Sequence, residues 1–213
     1  MPRPFLTPVD RASEVLFGLI MVLTFTGSLS AAEAGRAEVR AMLIGALGCN
    51  IAWGIIDAIL YLMGSLAERG RMLVAWNQVR ESGNAAESHR IIAGALPDVV
   101  ASAMKSEEYE TIRRSLVESP GPPSHPRLEK DELLGAVGVF LWVFFVTLPV
   151  AVPFLLIHDA IRALRISNAI AVVMLFFAGY SLARHAGLRP WRFGLAMVGI
   201  GVLLVGLTIA LGG

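Results

Sequence analysis

Two carboxylates lie in hydrophobic stretches of this sequence, where an ionisable side chain is expensive to bury. Asp57 lies near the middle of residues 41–68, an otherwise apolar run that is long enough to cross a bilayer as one helix. A charge at that depth costs about 2.5–3.5 kcal/mol on insertion scales, so it usually faces a bundle interior or an ion pathway. Glu14 opens the preceding apolar run. The two residues are therefore candidates for binding a cation inside a membrane.

Helical spacing places further polar residues beside Asp57. One stripe of the predicted helix carries Asn50, Asp57, Gly64 and Glu68. Asn50 is able to donate to the carboxylate, to offer its carbonyl oxygen to an ion, or simply to hold two helices together. Glu68 is either a second station for a cation or a solvated helix end. Asp57 itself has a structural alternative, a static hydrogen bond or ion pair between helices.

Glu14 and Met21 are seven residues apart and share a face of the first hydrophobic helix. A carboxylate with a thioether suits a borderline-soft divalent metal such as Fe²⁺, because sulfur selects soft ions. The alternative is that Glu14 is an interfacial charge favoured by the helix dipole and that Met21 is ordinary packing. Asp57 is also a candidate proton carrier, because burial favours the neutral form of a carboxyl group. One residue would then couple metal movement to a proton gradient.

Composition identifies a membrane protein. Of the 213 residues 55% are apolar and 16% are charged, well below the roughly 25% charged residues of a soluble domain. The net charge of +1 gives no overall basic field for nucleic acid. The sequence has no GxSxG, no glycine-rich phosphate loop and no HExxH spacing, so we expect neither an enzyme nor a bound cofactor.

The hydrophobic pattern predicts an all-α polytopic membrane protein with five transmembrane helices and a small cytosolic helical subdomain between the second and third. Its predicted parts are a cytosolic N-terminal tail (1–13), transmembrane helices 1–2 (14–67), the cytosolic helical subdomain (68–131) and transmembrane helices 3–5 (132–213). The spans are expected at 14–32, 41–67, 132–157, 169–183 and 193–213. Ser13 is expected to cap the first helix. Pro149 and Pro153 predict a kink and freed carbonyls in the third span.

The predicted subdomain contains three short helices, at 85–95, 98–104 and 106–117, with Ser106 as the cap of the last. Its acidic residues, together with Glu68, are candidates for metal uptake from the cytosol; they are Glu107, Glu108 and Glu110. The alternative for this cluster is a solvated helix face, since no CxxC, HExxH or EF-hand spacing accompanies it.

Lys and Arg are more frequent in the segments that share a side with the N-terminus, so the positive-inside rule predicts a cytosolic N-terminus. No cleavable signal peptide is evident, because the first hydrophobic run is too long for a typical signal and a second run follows closely. We therefore expect an integral membrane protein, in a bacterial inner membrane.

The order of these features resembles the vacuolar iron transporter (VIT) family, as a divergent member. Residues 13–18, SEVLFG, look like the family's acidic D-G-L type opening, which places Glu14 on its carboxylate, with Asp10 as the alternative. GIID, residues 54–57, resembles the end of its S-M-x-x-G-E type motif, which places Asp57 on its glutamate. LPVAVPF (148–154) is similar to the I-P-x-x-P type stretch, and SNAIAVVMLFFAGY (167–180) resembles the fourth span.

The resemblance implies five spans, a cytosolic N-terminus, a helical metal-binding subdomain and a homodimer with the metal path near the dimer interface. It also implies Fe²⁺ or Mn²⁺ as substrate and proton antiport. The sequence departs from the family where its soft methionine ligand falls on Trp53, which cannot ligate a metal. Met21 and Met63 are the candidates to replace that soft ligand, but Met63 is about 120° from the Asp57 face. The family's regularly spaced loop glutamates are also missing, and only Glu107, Glu108 and Glu110 remain.

The sequence therefore predicts a dimeric transporter that exports a divalent transition metal, Fe²⁺ or Mn²⁺, from the cytosol by proton antiport. Asp57 and Glu14 would bind the metal in turn, with Asn50 and Met21 along the path. The alternative is a membrane module without transport, whose cytosolic helical subdomain docks a protein partner and in which Asp57 is structural.

Overall fold

The computed structural model describes residues 7–27, 36–120 and 125–210, and these residues contain helices and no strand. The described helices are α1 Pro8–Gly27, α2 Arg36–Glu81, α3 Ala85–Ala95, α4 Asp98–Ala103, α5 Ser106–Glu118, α6 Lys130–Leu156, α7 Ala160–His185 and α8 Pro190–Ala210. Within the described ranges three stretches are long and apolar enough to cross a membrane: Val39–Glu81, Lys130–Leu156 and Ala160–His185. Pro190–Leu204 is a shorter apolar helix. The all-helical membrane class is confirmed, and the count of five spans stays a prediction because residues 28–32 and 211–213 lie outside the described residues.

Helix α1 begins before the predicted cap. Thr7 Oγ1 accepts from the backbone N–H of Asp10 at 3.2 Å, and the Asp10 carboxylate accepts from the backbone N–H of Thr7 at 3.1 Å. This reciprocal pair caps the helix, and Pro8 suits its first turn because its nitrogen needs no acceptor there. The prediction that Ser13 is the cap is wrong: its hydroxyl donates to the carbonyl of Val9 inside the helix, at 3.0 Å.

Helix α2 is 46 residues long. At 1.5 Å per residue it extends about 70 Å, far more than the roughly 30 Å of a hydrocarbon core. The change of composition at Glu68 does not end the helix, because residues 68–81 contain no proline and include three Arg and two Glu residues, which favour helix. The predicted span at 41–67 therefore lies within a longer helix.

Helices α7 and α8 both begin earlier than expected. The Asp159 carboxylate accepts from a backbone N–H of the first turn of α7, at 3.0 Å, and α7 ends before Gly187, which has a φ of +69°. Pro190 is the first residue of α8, a position that suits proline. The two helices pack closely, since a Cβ at Gly194 would lie 2.7 Å from the ring of Phe176.

Contacts between residues divide the chain into two compact units. The first comprises residues 1–59 and 134–213, and its core is formed by Leu19, Val150, Ala171 and Leu175, none more than 1% exposed. These side chains come from α1, α6 and α7, so these three helices share one apolar core. The buried hydroxyl of Ser167 donates to the carbonyl of Val150 at 2.7 Å, which satisfies a polar group inside that core.

Helix α6 continues through both of its prolines, Pro149 and Pro153. The carbonyl of Val150 lies in the turn between them and takes its side-chain partner from α7. A proline lacks the N–H that would bond the carbonyl four residues before it, so Pro149 and Pro153 leave the carbonyls of Phe145 and Pro149, and not that of Val150, without their intrahelical partners. The predicted kink stays a prediction.

The second unit comprises residues 60–133 and contains α3, α4 and α5. The predicted helices at 85–95, 98–104 and 106–117 are confirmed to within one residue. The predicted cap of α5 is wrong by one position. Lys105 precedes the helix, and its backbone N–H donates to the Glu108 carboxylate at 2.6 Å, so Ser106 is the first helical residue.

Polar contacts hold the second unit together. Trp76 Nε1 donates to the carbonyl of Leu116 at 3.1 Å, and the Tyr109 hydroxyl donates to the carbonyl of Ala101 at 2.7 Å. The ring of His89 stacks on Tyr109 with centroids 5.7 Å apart. These contacts join α3, α4 and α5 to each other and to the 60–81 part of α2.

Candidate functional site

Helices α1 and α2 bring the two predicted carboxylates together. The side chains of Glu14 and Asp57 are close enough for their carboxyl groups to interact. Asp57 is 9% exposed, and its Oδ2 has no hydrogen-bond partner among the described residues. A hydrogen bond between two carboxyl groups requires a proton on one of them, because two adjacent carboxylates repel. The pair is therefore able to hold one proton, or a cation in its place.

Trp53 orients Glu14. Its indole Nε1 donates to Glu14 Oε2 at 3.2 Å, and its ring lies against Phe17 with centroids 5.7 Å apart. Trp53 is four residues before Asp57, so both side chains leave α2 on the same face. The hydrogen bond from Trp53 to Glu14 was not predicted from the sequence, where Trp53 counted only as the loss of a metal ligand. Its spacing from Asp57 was the available signal.

Asn50 is buried between α2 and α6, with 3% of its surface exposed. Its Nδ2 donates to the carbonyl of Phe144 at 3.1 Å and to Thr147 Oγ1 at 2.6 Å. Its Oδ1 is buried and has no hydrogen-bond partner among the described residues. Asn50 thus joins two helices through its nitrogen and keeps its oxygen available as an acceptor. Thr147 was not predicted from the sequence, because it is one of several hydroxyl residues in apolar helices.

Two glycines permit the close packing of helices around this site. A Cβ at Gly18 of α1 would lie 2.5 Å from the Thr147 side chain of α6, and a Cβ at Gly54 of α2 would lie 2.9 Å from the ring of Phe140 of α6. Real Cβ atoms do not approach so closely without a shift of their neighbours. Both α1 and α2 therefore pack tightly on α6, and the carboxyl pair lies between them.

A small cavity of about 40 Å³ adjoins Asn50. Its remaining walls are almost entirely apolar and come from the first turns of α2 and from α6, including Met42 and Phe154. A water molecule fits in such a space when polar partners are present. The cavity lies on the side of Asn50 that faces away from Asp57 along α2.

A sequence model of the VIT family matches residues 81–213, more than half of the chain. The chain belongs to the VIT family. The VIT family is a family of membrane metal-ion transporters, which indicates that this protein belongs to the transporter class. No curated protein matches the sequence. The matched segment contains α3 to α8 and excludes Glu14 and Asp57, so their roles are argued from geometry.

The two methionines considered as soft ligands lie elsewhere. Met21 is half-buried and packs against the apolar cluster around Leu19 and Leu175. Met63 is 61% exposed. The structure thus brings Glu14 to Asp57 but gives the described site of this VIT-family protein only oxygen ligands.

The loop glutamates expected as a metal uptake point have other partners. Glu110 accepts hydrogen bonds from Arg113 at 2.7 Å and from Arg114 at 3.1 Å, and His89 Nε2 lies 3.3 Å from its other oxygen. The hydrogen bonds from Arg113 and then Arg114 lower the pKa of Glu110 to about 2. This carboxylate is therefore charged at neutral pH and already neutralised by its neighbours.

The other expected uptake residues are dispersed. Glu108 binds the backbone of Lys105, Glu68 pairs with Arg71, and Glu107 is exposed. Within the described ranges no three His, Cys, Asp or Glu side chains form a group that would hold a metal ion. The loop of this VIT-family chain therefore shows ion pairs where the family resemblance implied a metal store.

Proposed function

We propose that this protein exports a divalent transition metal, Fe²⁺ or Mn²⁺, from the cytosol in exchange for protons, and that Glu14 and Asp57 bind the metal. The proposal places it as a homodimer in a bacterial inner membrane with its N-terminus in the cytosol. The observation that carries the proposal is the contact between the two carboxyl groups, with Asp57 buried. The family assignment supplies the class, metal-ion transport.

The carboxyl pair supports proton exchange. Two carboxyl groups that share a proton carry one negative charge, whereas two carboxylates facing a divalent cation together carry two. Metal binding at Glu14 and Asp57 therefore expels the shared proton, and proton return expels the metal. The site then carries a charge of −1 with the proton and 0 with the metal, so neither state leaves two uncompensated carboxylates in an apolar environment.

Trp53 keeps Glu14 in position during this exchange. Because the indole donates to Oε2, the second oxygen of Glu14 and Oδ2 of Asp57 are the atoms available to a metal. Asn50 is seven residues before Asp57, about 10 Å further along α2. Its unpartnered Oδ1 and the adjoining cavity support a second station there, on the way out.

A homodimer would complete the coordination. Transition metals take four to six ligands, and each described carboxyl pair supplies only two residues. Ile51, Ile55 and Ile59 form an exposed apolar stripe on α2, which would lie in lipid or against a second copy. The described oxygen ligands suit Mn²⁺ at least as well as Fe²⁺, since carboxylates and carbonyls favour harder cations.

Flux into proteoliposomes tests the proposal. Purified protein is reconstituted and offered Fe²⁺, Mn²⁺, Co²⁺ and Zn²⁺ under an imposed pH gradient. We expect uptake of Fe²⁺ or Mn²⁺, together with proton movement in the opposite direction. If none of the four metals moves, the transport proposal fails and a partner-docking role for the loop helices replaces it.

A further inference from the structure

A groove of about 420 Å³ lies between α1, α6 and α7, away from the carboxyl pair. We call it the α1–α6–α7 groove. Its polar residues are Arg11, Ser181 and His185, with the indole of Trp142 beside them, and most of its other walls are apolar. Its volume is that of a small-molecule site, and nothing in the proposed transport cycle uses it.

Arg11 gives the groove a positive charge. Its guanidinium carbon lies 5.8 Å from the centroid of the Trp142 ring, an arrangement that orients the cation over the indole. Both acidic neighbours on α1 have other partners, since Asp10 binds Thr7 and Glu14 faces Trp53 and Asp57. Arg11 therefore has no acidic partner among the described residues.

His185 adds a second polar group near the end of α7. Its Nδ1 donates to the carbonyl of Ser181 at 2.8 Å, which leaves Nε2 as the other ring nitrogen. The described contacts give Nε2 no protein partner. A hydroxyl-bearing headgroup would find an acceptor at this nitrogen, next to the cation.

The apolar part of the groove follows α7. From Met174 to His185 it extends over three turns, about 16 Å. Phe177 lies between these ends and is 61% exposed, in a helix that is apolar enough to cross a membrane. The charge lies where α1 begins and α7 ends, and apolar surface continues toward the middle of the helices. This is the arrangement of a phospholipid, with its phosphate at the membrane surface and its chains inside.

We propose that the α1–α6–α7 groove binds one anionic phospholipid, with its phosphate at Arg11 and an acyl chain along α7. A zwitterionic choline lipid fits less well, because its ammonium group brings a second cation beside Arg11 and His185. Inorganic phosphate matches only the charged end and leaves the apolar walls uncovered. The phosphate–guanidinium contact is charge-assisted and favours the anionic lipid. This site does not depend on the proposed metal transport.

Native mass spectrometry with competing lipids tests the site. Full-length protein in detergent is mixed with equal amounts of phosphatidylglycerol and phosphatidylcholine, and the retained lipids are counted. We expect one retained phosphatidylglycerol per protomer and a preference of about tenfold over phosphatidylcholine. Equal retention of the two lipids would overturn the proposal. In a thermal unfolding assay, the lipid should raise the unfolding temperature of the protein more than inorganic phosphate does. Equal effects of the two would also overturn the proposal.

Three variants locate the site. Arg11→Gln removes the charge and should abolish the preference, and Ser181→Trp fills the groove and should displace the lipid while Arg11 stays in place. Arg192→Gln is the matched control, because it removes an exposed arginine of α8 that does not line the groove. Retention of the preference in both Arg11→Gln and Ser181→Trp refutes the assignment, as does an equal loss in Arg192→Gln.

Discussion

Trp53 Nε1 donates to Glu14 Oε2 at 3.2 Å, and this bond joins α2 to α1 beside the buried Asp57. Trp53 cannot ligate a metal, but its hydrogen bond fixes Glu14, whose carboxylate can. The hydrogen bond from Trp53 holds the Glu14 carboxylate near the carboxyl group of Asp57, although electrostatic repulsion opposes two carboxylates at that distance. The transport account therefore depends on three side chains of two helices acting together.

Trp53→Phe should weaken metal binding and leave the fold intact, since phenylalanine keeps the contact with Phe17 and loses only the donor. The lost hydrogen bond is worth about 1–1.5 kcal/mol, so we expect the metal concentration for half-maximal flux to rise about five- to tenfold. Concentration-dependent Mn²⁺ uptake into proteoliposomes measures it.

Trp191→Phe is the control for this substitution, because Trp191 lies on α8 and is 67% exposed. It should leave the half-maximal metal concentration unchanged. An unchanged value in Trp53→Phe as well would show that the indole does not position Glu14 for binding.

Glu14→Gln should reduce proton release on metal binding. In the proposed cycle the wild-type pair shares a proton that a metal displaces, whereas the variant would leave Asp57 with an amide neighbour that already donates a hydrogen bond. Calorimetric titration with Mn²⁺ in buffers of different ionisation enthalpy counts the released protons. We expect about one fewer proton per metal bound in the variant. Equal release in both proteins would exclude the shared proton.

Asn50→Ala and Thr147→Val separate packing from transport. Each removes the 2.6 Å hydrogen bond between α2 and α6 and should lower the free energy of unfolding by about 1–2 kcal/mol. Only Asn50→Ala also removes the unpartnered Oδ1, so only this variant should slow flux. Thermal unfolding in detergent and metal uptake are measured on both. A loss of flux in Thr147→Val that matches its loss in Asn50→Ala would assign Asn50 to packing alone.

The Glu110 network should make the loop helices sensitive to acid. Its pKa is lowered from the usual 4.5 to about 2, so its stabilising effect is complete above about pH 4.5 and is lost as the pH falls toward 2. Hydrogen exchange of residues 85–118 should accelerate over that range in the wild type. Glu110→Gln should show faster exchange already at pH 7, whereas exposed Glu107→Gln should not. Identical exchange in wild type and Glu110→Gln would show that the ion pairs do not stabilise the helices.

Much of the secondary structure follows from local patterns in the sequence. The three loop helices begin at positions marked by Asn84, Pro97 and the acidic first turn of α5, and these signals are visible in the sequence. Neither Ser13 nor Ser106 is the cap, because other residues satisfy the helix starts: Thr7 and Asp10 form a reciprocal pair at α1, and the Glu108 carboxylate accepts from the backbone N–H of Lys105 at α5.

The candidate site was only partly predictable. The cost of burying a carboxylate singled out Asp57, and the place of Glu14 at the start of the preceding apolar run made it the second candidate. The partners depend on packing between helices far apart in sequence: Asn50 meets Thr147 across 97 positions, and Trp53 meets Glu14 across 39. Helical periodicity gives the face on which a residue lies but not the neighbour that covers it.

Metal flux by the Asp57→Asn variant most directly tests the central claim, that Asp57 binds the transported metal. Asparagine keeps the size and hydrogen-bonding capacity of the side chain and removes the charge that a metal requires. Reconstituted wild type should take up Fe²⁺ or Mn²⁺ under a pH gradient, and Asp57→Asn should take up about a hundredfold less while it expresses and unfolds like the wild type. Asp159→Asn, a substitution at the cap of α7, should transport normally. Undiminished flux in Asp57→Asn would contradict the account.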